Sequence, residues 1–321
     1  MSDSEFDIIK KYFTFNNVRD DVNLAGGDDC SVVSVPEGKQ LLITTDTLIE
    51  GVHFPIKTSA EDIAYKAIMV NLSDLAAMGA TPVWLSMAIT LPDINELWLQ
   101  NFSRQIKAVL SEFNICLIGG DTTKGSLSIT IQAMGLSDAN TIMRRDGAEV
   151  GDRIFVTGEL GDAAIGLEVV LNNLNNENLQ SCIKKLNRPR ARVKFAEELS
   201  LFSKCATDIS DGLASDLGHI VKASHCGADV NLADIPISSS AMYYFEHYNE
   251  NKIDWPKVLT HGDDYELCFV ANKKYQKEIE ALAKKHQLRV SCIGDITDTN
   301  TVALFDKGQK VELEKTGFKH F

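Results

Sequence analysis

Between residues 67 and 92 the chain reads AIMVNLSDLAAMGATPVWLSMAITLP, and Asp74 is its only charged residue. A stretch this apolar has to be buried. Residues 60–78 carry helical spacing, Gly79 supplies a helix C-cap, and VWLSMAITL over 83–91 reads as a buried strand. Asn, Ser, Thr, Asp and Pro within the run exclude a membrane span. On a helical wheel Asp74 falls among Ile63, Ala67 and Met78, where a lone carboxylate is costly and its pKa would rise. Two readings follow. Either a basic side chain or helix N-terminal amides pair with Asp74, or it is a metal ligand.

Other apolar runs end in acids too. LLITTD places Thr44, Thr45 and Asp46 at the expected end of a strand over 41–45, with no Gly, Asn or Pro to make a hairpin turn there. GGDDCSVV puts Asp28 and Asp29 before a β-branched run. ICLIGGD reads as a strand that ends in a turn at Asp121, and TDISDG sets Asp208 and Asp211 around a helix start. Each acid alone is accounted for by a cap, an Asx-turn or a solvated loop. Together, in a chain of net charge -13 and pI near 5.0, they favour cations. Carboxylate and hydroxyl oxygens are hard ligands that suit Mg²⁺ or Mn²⁺ rather than zinc. The same field argues against nucleic acid and anionic membrane as partners.

The 321 residues suit roughly two domains. Helices are expected over 5–13, 95–113, 162–174 and 211–223, with strands over 127–136, 153–158, 265–271 and 290–296. The polar stretch RRDGAEVGDR over 144–153 separates an N-terminal α/β domain, 1–140, from a C-terminal α/β domain, 150–321. The fold class is therefore mixed α/β (α+β). It carries no P-loop, since GGDTTKG is not GxxxxGK[ST]. It carries no Rossmann fingerprint either, because GELGDAAIG after RIFVT has the wrong spacing. Seven dispersed cysteines without a CxxC pair indicate reduced thiols and a cytoplasmic chain, and no signal peptide is evident.

Taken together, GGDDCSVV, TTDTLIEGVHF, NLSDLAAMGATP, IGGDTTKG, DISDGLASDLGHIVKASHCGA, GDDYELCF and the terminal GFKHF resemble the thiamine-monophosphate kinase family. That family lies within the ATP-binding superfamily of aminoimidazole ribonucleotide synthetase and selenophosphate synthetase. The resemblance spans residues 26–321. It implies a two-domain fold of the aminoimidazole ribonucleotide synthetase type and a homodimer joined through the N-terminal domains. The implied reaction is ATP plus thiamine phosphate giving thiamine diphosphate plus ADP, with several Mg²⁺ ions bridging the phosphates. Carried over by motif, the metal ligands are Asp29, Thr44, Thr45, Asp46, Asp74, Asp121, Asp208 and Asp211. Gly120, Asp121, Arg145 and Ser210 would contact ATP, and His53, Asp263 and Phe318 would contact thiamine phosphate. This chain has Asp263-Asp264 where the family usually has Glu-Asp, and Lys315 and Phe318 where some relatives carry Trp or Tyr.

The implied nucleophile is a phosphate oxygen that is already ionised at pH 7, so no general base is expected; the work is positioning and electrostatics. Two alternatives are another ATP-using synthetase of the superfamily and a metal- or nucleotide-binding regulator without turnover. Selenophosphate synthetase would want a catalytic Cys in a glycine-rich N-terminal loop, whereas Cys30 follows GDD.

Overall fold

The long apolar run divides where Gly79 and Pro82 stand. A helix occupies Ala60–Ala77, Gly79 follows in the left-handed conformation (φ 70°), and a strand runs Thr81–Leu91. The computed structural model describes residues 5–15, 19–313 and 317, so Lys315 and Phe318 lie outside the described residues. The chain forms two compact units. The first is Met1–Leu75 with Ala80–Asn140, and the second is Thr141–Phe321 with Ala76–Gly79.

The first unit contains α1 (Glu5–Ile8), which continues as a π-helical turn, then β1 (Val22–Leu24), β2 (Val32–Val33) and β3 (Lys39–Ile49). After these come α2 (Ala60–Ala77), β4 (Thr81–Leu91), α3 (Glu96–Phe113), β5 (Cys116–Lys124) and β6 (Ser128–Asp138). β1 and β2 pair as a small ribbon, and the other four strands form one sheet in the order β3-β6-β4-β5. α2 lies on this sheet: a Cβ built on Gly135 of β6 would stand 3.1 Å from Leu75 Cδ2. Asn95 caps α3 by accepting the Trp98 N–H, and the helix buries Leu99, Phe102, Ile106, Val109 and Leu110. That stripe has the 3.6-residue period expected of it.

Two expectations fail here. TTD is not at a strand end, because β3 continues four residues past Thr45 and pairs with β6 without interruption, Asp46 opposite Ile131. GGD is not a turn, because β5 runs through Gly119, Gly120 and Asp121 as far as Lys124. Gly120 is required by close approach: a Cβ there would sit 2.0 Å from the Met87 carbonyl oxygen.

The second unit contains β7 (Arg153–Thr157), α4 (Asp162–Leu171), α5 (Gln180–Asn187), α6 (Val193–Leu199), β8 (Cys205–Asp208), α7 (Leu213–Ser224) and β9 (Gly227–Asn231). It continues with α8 (Ser239–Tyr248), α9 (Trp255–Thr260), β10 (Leu267–Ala271), α10 (Gln276–Lys285), β11 (Val290–Thr297), β12 (Val302–Asp306) and β13 (Gln309–Val311). Its seven strands take the order β13-β12-β9-β11-β7-β10-β8, antiparallel except for the parallel pair β9 and β12. Ile154, Val156, Cys268 and Val270 pack with Ile165, Leu213, Leu217, Phe245 and Leu259 from the helices of one face. On the other face Phe155 and Phe269 stack at 5.1 Å, and Phe195 of α6 meets Phe269.

Candidate active site

In the first unit the strand period decides which acids meet. Along β3 the side chains of Leu42, Thr44, Asp46 and Leu48 turn toward α2, whereas Leu41, Ile43, Thr45, Thr47 and Ile49 are exposed on the opposite face. Thr44 Oγ1 donates to Asp74 Oδ2 on α2 at 2.5 Å, and the Asp46 backbone N–H donates to Asn71 Oδ1, one turn earlier on the same helix. Thr44, Asp46 and Asp74 therefore form one oxygen-rich group. Burial, and then the charge of Asp74, push the Asp46 carboxyl from 3.8 up to about 6. Among the described residues no basic side chain forms an ion pair with Asp46. Two crowded carboxylates beside a hydroxyl are a donor set that a hard divalent cation fits.

Thr45 is not part of this group. It accepts from Gln132 Nε2 on the open face, and the register through Thr47, Thr130 and Ala88 puts Asp121 on that face as well. Asp29 stands in an exposed loop beside Asp28, which accepts its N–H. Ser31 Oγ pins that loop by donating to the Ile118 carbonyl of β5. His53 follows β3 in a turn. Its Nδ1 accepts the Ile49 N–H at 3.0 Å, and its carbonyl accepts from the buried Lys66 Nζ at 3.2 Å.

The second unit gathers another acidic group beyond the end of β8. Asp208 is the buried last residue of that strand, and Ile209–Gly212 lead into α7. The loop before β10 lies alongside: Asp263 N–H donates to Ser210 O, Tyr265 N–H donates to Ile209 O, and Ile209 N–H donates to Glu266 O. Asp208, Ser210, Asp211 and Asp263 are thus neighbours through their backbones. Arg145 joins from the start of the unit, where its Nε donates to Thr207 Oγ1 at 3.2 Å. Phe318 cannot be placed, since it lies outside the described residues.

Sequence reasoning missed three features of this unit. Asp216, in the first turn of α7, accepts the N–H groups of Ser210 (3.0 Å) and Asp211 (3.1 Å). Burial, followed by the charge of Asp211, pushes its carboxyl up to about 7. Ligand atoms of Asp211, Asp216 and His219 lie within 4.8 Å of one another, the one such group of three among the described residues. The i, i+3 spacing of Asp216 and His219 on a helix was the available signal. The third feature is a buried network around Glu266. Its carboxylate accepts from Arg192 Nε (2.6 Å) and Nη2, from Lys185 Nζ (3.3 Å) and from Thr157 Oγ1 (2.7 Å). Burial alone would raise this carboxyl, but the Arg192 and Lys185 charges outweigh it and hold it low.

Comparison with known proteins agrees with the motifs. Residues 27–137 match the AIR synthase related protein N-terminal domain, and residues 149–307 match the corresponding C-terminal domain. The chain is 43% identical to the thiamine-monophosphate kinase of Buchnera aphidicola subsp. Acyrthosiphon pisum, covering 100% of both. It is 41% identical to that of Escherichia coli strain K12, over 100% of this chain and 99% of the other. Among solved structures, thiamine-monophosphate kinase from Stenotrophomonas maltophilia K279a superposes with a TM-score of 0.87 at 38% identity, covering 97% of this chain and 99% of that one. AaThiL complexed with AMPPCP and TMP superposes with a TM-score of 0.80 at 30% identity, covering 98% and 96%. The chain belongs to the thiamine-monophosphate kinase family.

Proposed function

We propose that this protein transfers the γ-phosphoryl group of ATP to thiamine phosphate, giving thiamine diphosphate and ADP. One observation carries the reading: the similarity to thiamine-monophosphate kinases runs the full length of the chain at over 40% identity, rather than through one shared domain. A synthetase of the wider superfamily, or a regulator without turnover, is the poorer account of that match.

The acceptor phosphate is ionised at pH 7, so the chain has to position two polyanions rather than remove a proton. In this reading Thr44, Asp46 and Asp74 of the first unit hold divalent metal. Asp208 and Asp211 of the second unit do the same; Asp29, Thr45 and Asp121 are kept in that role on the family motifs alone, Thr45 and Asp121 standing on the opposite face of the sheet from Asp46. Magnesium or manganese, when bound, neutralises the phosphate oxygens and aligns them for in-line transfer. Gly120, Arg145 and Ser210 contact ATP, and Arg145 also offers a fixed positive charge next to Thr207. His53 and Asp263 contact thiamine phosphate, whose amine and thiazolium suit a carboxylate. Phe318 is kept in that role on the motif alone.

Two further assignments go with this reading. The open face of the first sheet exposes Leu41, Ile43 and Ile49 (39%, 57% and 40%), which supports a second copy of the chain as its partner. No helix among the described residues is long and apolar enough to cross a membrane, and no cysteine is bonded, which suits a cytoplasmic enzyme.

The decisive experiment incubates the purified protein with MgATP and thiamine phosphate. Stoichiometric thiamine diphosphate and ADP are expected, and neither product with EDTA. ATP hydrolysis without thiamine diphosphate would overturn the assignment.

A further inference from the structure

The glycine-rich stretch GELGDAAIG follows a strand and opens a helix, yet its spacing matches no nucleotide loop. The structure accounts for it differently. The acceptor at this strand–helix turn is the protein's own: Gly161 N–H, immediately before α4, donates to both carboxyl oxygens of Asp264, at 3.0 and 3.2 Å. Gly158, at the other end of the turn, has φ 62°, and a Cβ there would lie 2.1 Å from Glu266 Oε1. The turn is therefore shaped to accept two carboxyl groups from the segment Asp263–Glu266. Both are buried, Asp264 at 7% exposure and Glu266 at 2%.

What these two acids hold is an unusual backbone. Asp263 and Tyr265 are both left-handed, with φ of 66° and 49°, and neither is glycine. Such conformations persist only where surrounding contacts over-determine them, and they concentrate at functional positions. Here they alternate with the anchors. Residues 264 and 266 point into the interior, while the N–H groups of 263 and 265 are pinned to the carbonyls of Ser210 and Ile209. Below the strained pair, Glu266 is gripped by Arg192, Lys185 and Thr157, and Thr157 Oγ1 also accepts the Leu267 N–H.

We propose that Asp264 and Glu266 are positioning residues. By seating in the Gly158–Gly161 turn and on Arg192, they hold Asp263 in its left-handed conformation beside Ser210 and Asp211, and so fix the carboxylate that selects thiamine phosphate. This rests on the assignment of Asp263 to that substrate. It gives the glycine-rich turn a structural carboxyl acceptor in place of a nucleotide phosphate.

The test uses the full-length protein and two readouts. In Asp264→Ala the KM for thiamine phosphate rises about tenfold while that for ATP changes by less than about twofold. Asp264→Asn, which keeps an acceptor for Gly161 N–H, restores the KM for thiamine phosphate. Asp263→Ala combined with Asp264→Ala is no worse than Asp263→Ala alone, because both act through one carboxylate. Independently of turnover, amide exchange at Asp263 and Tyr265 accelerates in Asp264→Ala. Should that variant fail to fold, Asp264→Ser, too short to reach Gly161, is judged by the same criteria. Unchanged exchange at both amides, additive effects, or equal loss for both substrates would overturn the proposal. If the wild-type protein makes no thiamine diphosphate, the assigned function fails, and the exchange readout still decides whether the clamp exists.

Discussion

Asp46→Asn separates stability from activity. In the metal-free protein Asp46 faces Asp74 from a half-buried position on β3, and its carboxyl stands at about 6 against an ordinary 3.8. That difference corresponds to at most about 3 kcal/mol of cost to the folded state when Asp46 is ionised. Discounted for solvent screening at a half-buried site, about 1–2 kcal/mol is expected. Because the folded carboxyl is the more basic one, its favourable contribution is complete below 3.8. It is lost as pH rises through about 6. The Asn variant carries no such dependence. The hydrogen bond from the Asp46 backbone N–H to Asn71 Oδ1 survives the substitution. Urea unfolding in EDTA should therefore find Asp46→Asn more stable than wild type at pH 8, with the gap closing toward pH 4. Magnesium with ADP should reverse the order, since wild type alone keeps the full donor set; a ligand at about 100 times its Kd adds about 2.7 kcal/mol. Turnover in the variant should fall by a few orders of magnitude. A variant less stable than wild type in EDTA at pH 8, or a stability gap that ignores pH, would refute the argument and make Asp46 a structural acceptor.

Asp263→Ala should raise the KM for thiamine phosphate about tenfold, equivalent to about 1.4 kcal/mol, and leave that for ATP nearly unchanged. Asp263→Gly should show the same kinetics with a higher melting temperature than Asp263→Ala, because glycine accepts the φ of 66° without strain. Arg192→Met removes the main partner of the buried Glu266 and should destabilise the protein by about 3–5 kcal/mol, read by denaturant unfolding. Gly120→Ala should cost about 3 kcal/mol in the same assay, since the added Cβ meets the Met87 carbonyl at 2.0 Å.

The sequence disclosed elements whose signals are local. The Ala60–Ala77 helix has its period and its glycine stop, and Glu96–Phe113 has its Asn95 cap and apolar stripe. It misled where a partner strand decides. Thr44, Thr45 and Asp46 looked like the frayed end of LLI, but all three lie within the ladder that β3 forms with β6, and threonine is a good strand former. The two glycines before Asp121 looked like a turn, although one of them is there because Met87 of the neighbouring strand leaves no room for a side chain. Short strands such as Cys205–Asp208 and Gly227–Asn231 escaped notice for lack of any period.

The same distinction applies to the acids. Asp46 and Asp74 could be singled out because each interrupts an apolar run. That Thr45 would turn away from them follows from alternation along a strand, once the strand is known to continue. Asp264 and Glu266 were hidden because their partners, Gly161, Lys185 and Arg192, lie more than seventy residues upstream (74 for Arg192–Glu266). No local pattern records that pairing.

The strand pairing of the second unit bears on how the chain is made. β7, β8 and β9 are synthesised first, yet none of them pairs with another of the three. β7 waits for β10 and β11, β8 for β10, and β9 for β11 and β12. Until Leu267 has left the ribosome, the sheet has no ladder at all, and Ile154, Phe155 and Val156 have nowhere to be buried. At roughly 5–20 residues per second that interval of about a hundred residues lasts on the order of ten seconds. Helices can form in that time, but the sheet cannot grow gradually from its N-terminal side; it closes late, around β10. A nascent chain stalled before that strand should be a ready substrate for chaperones and proteases, and one released just after β11 should already hold most of its sheet.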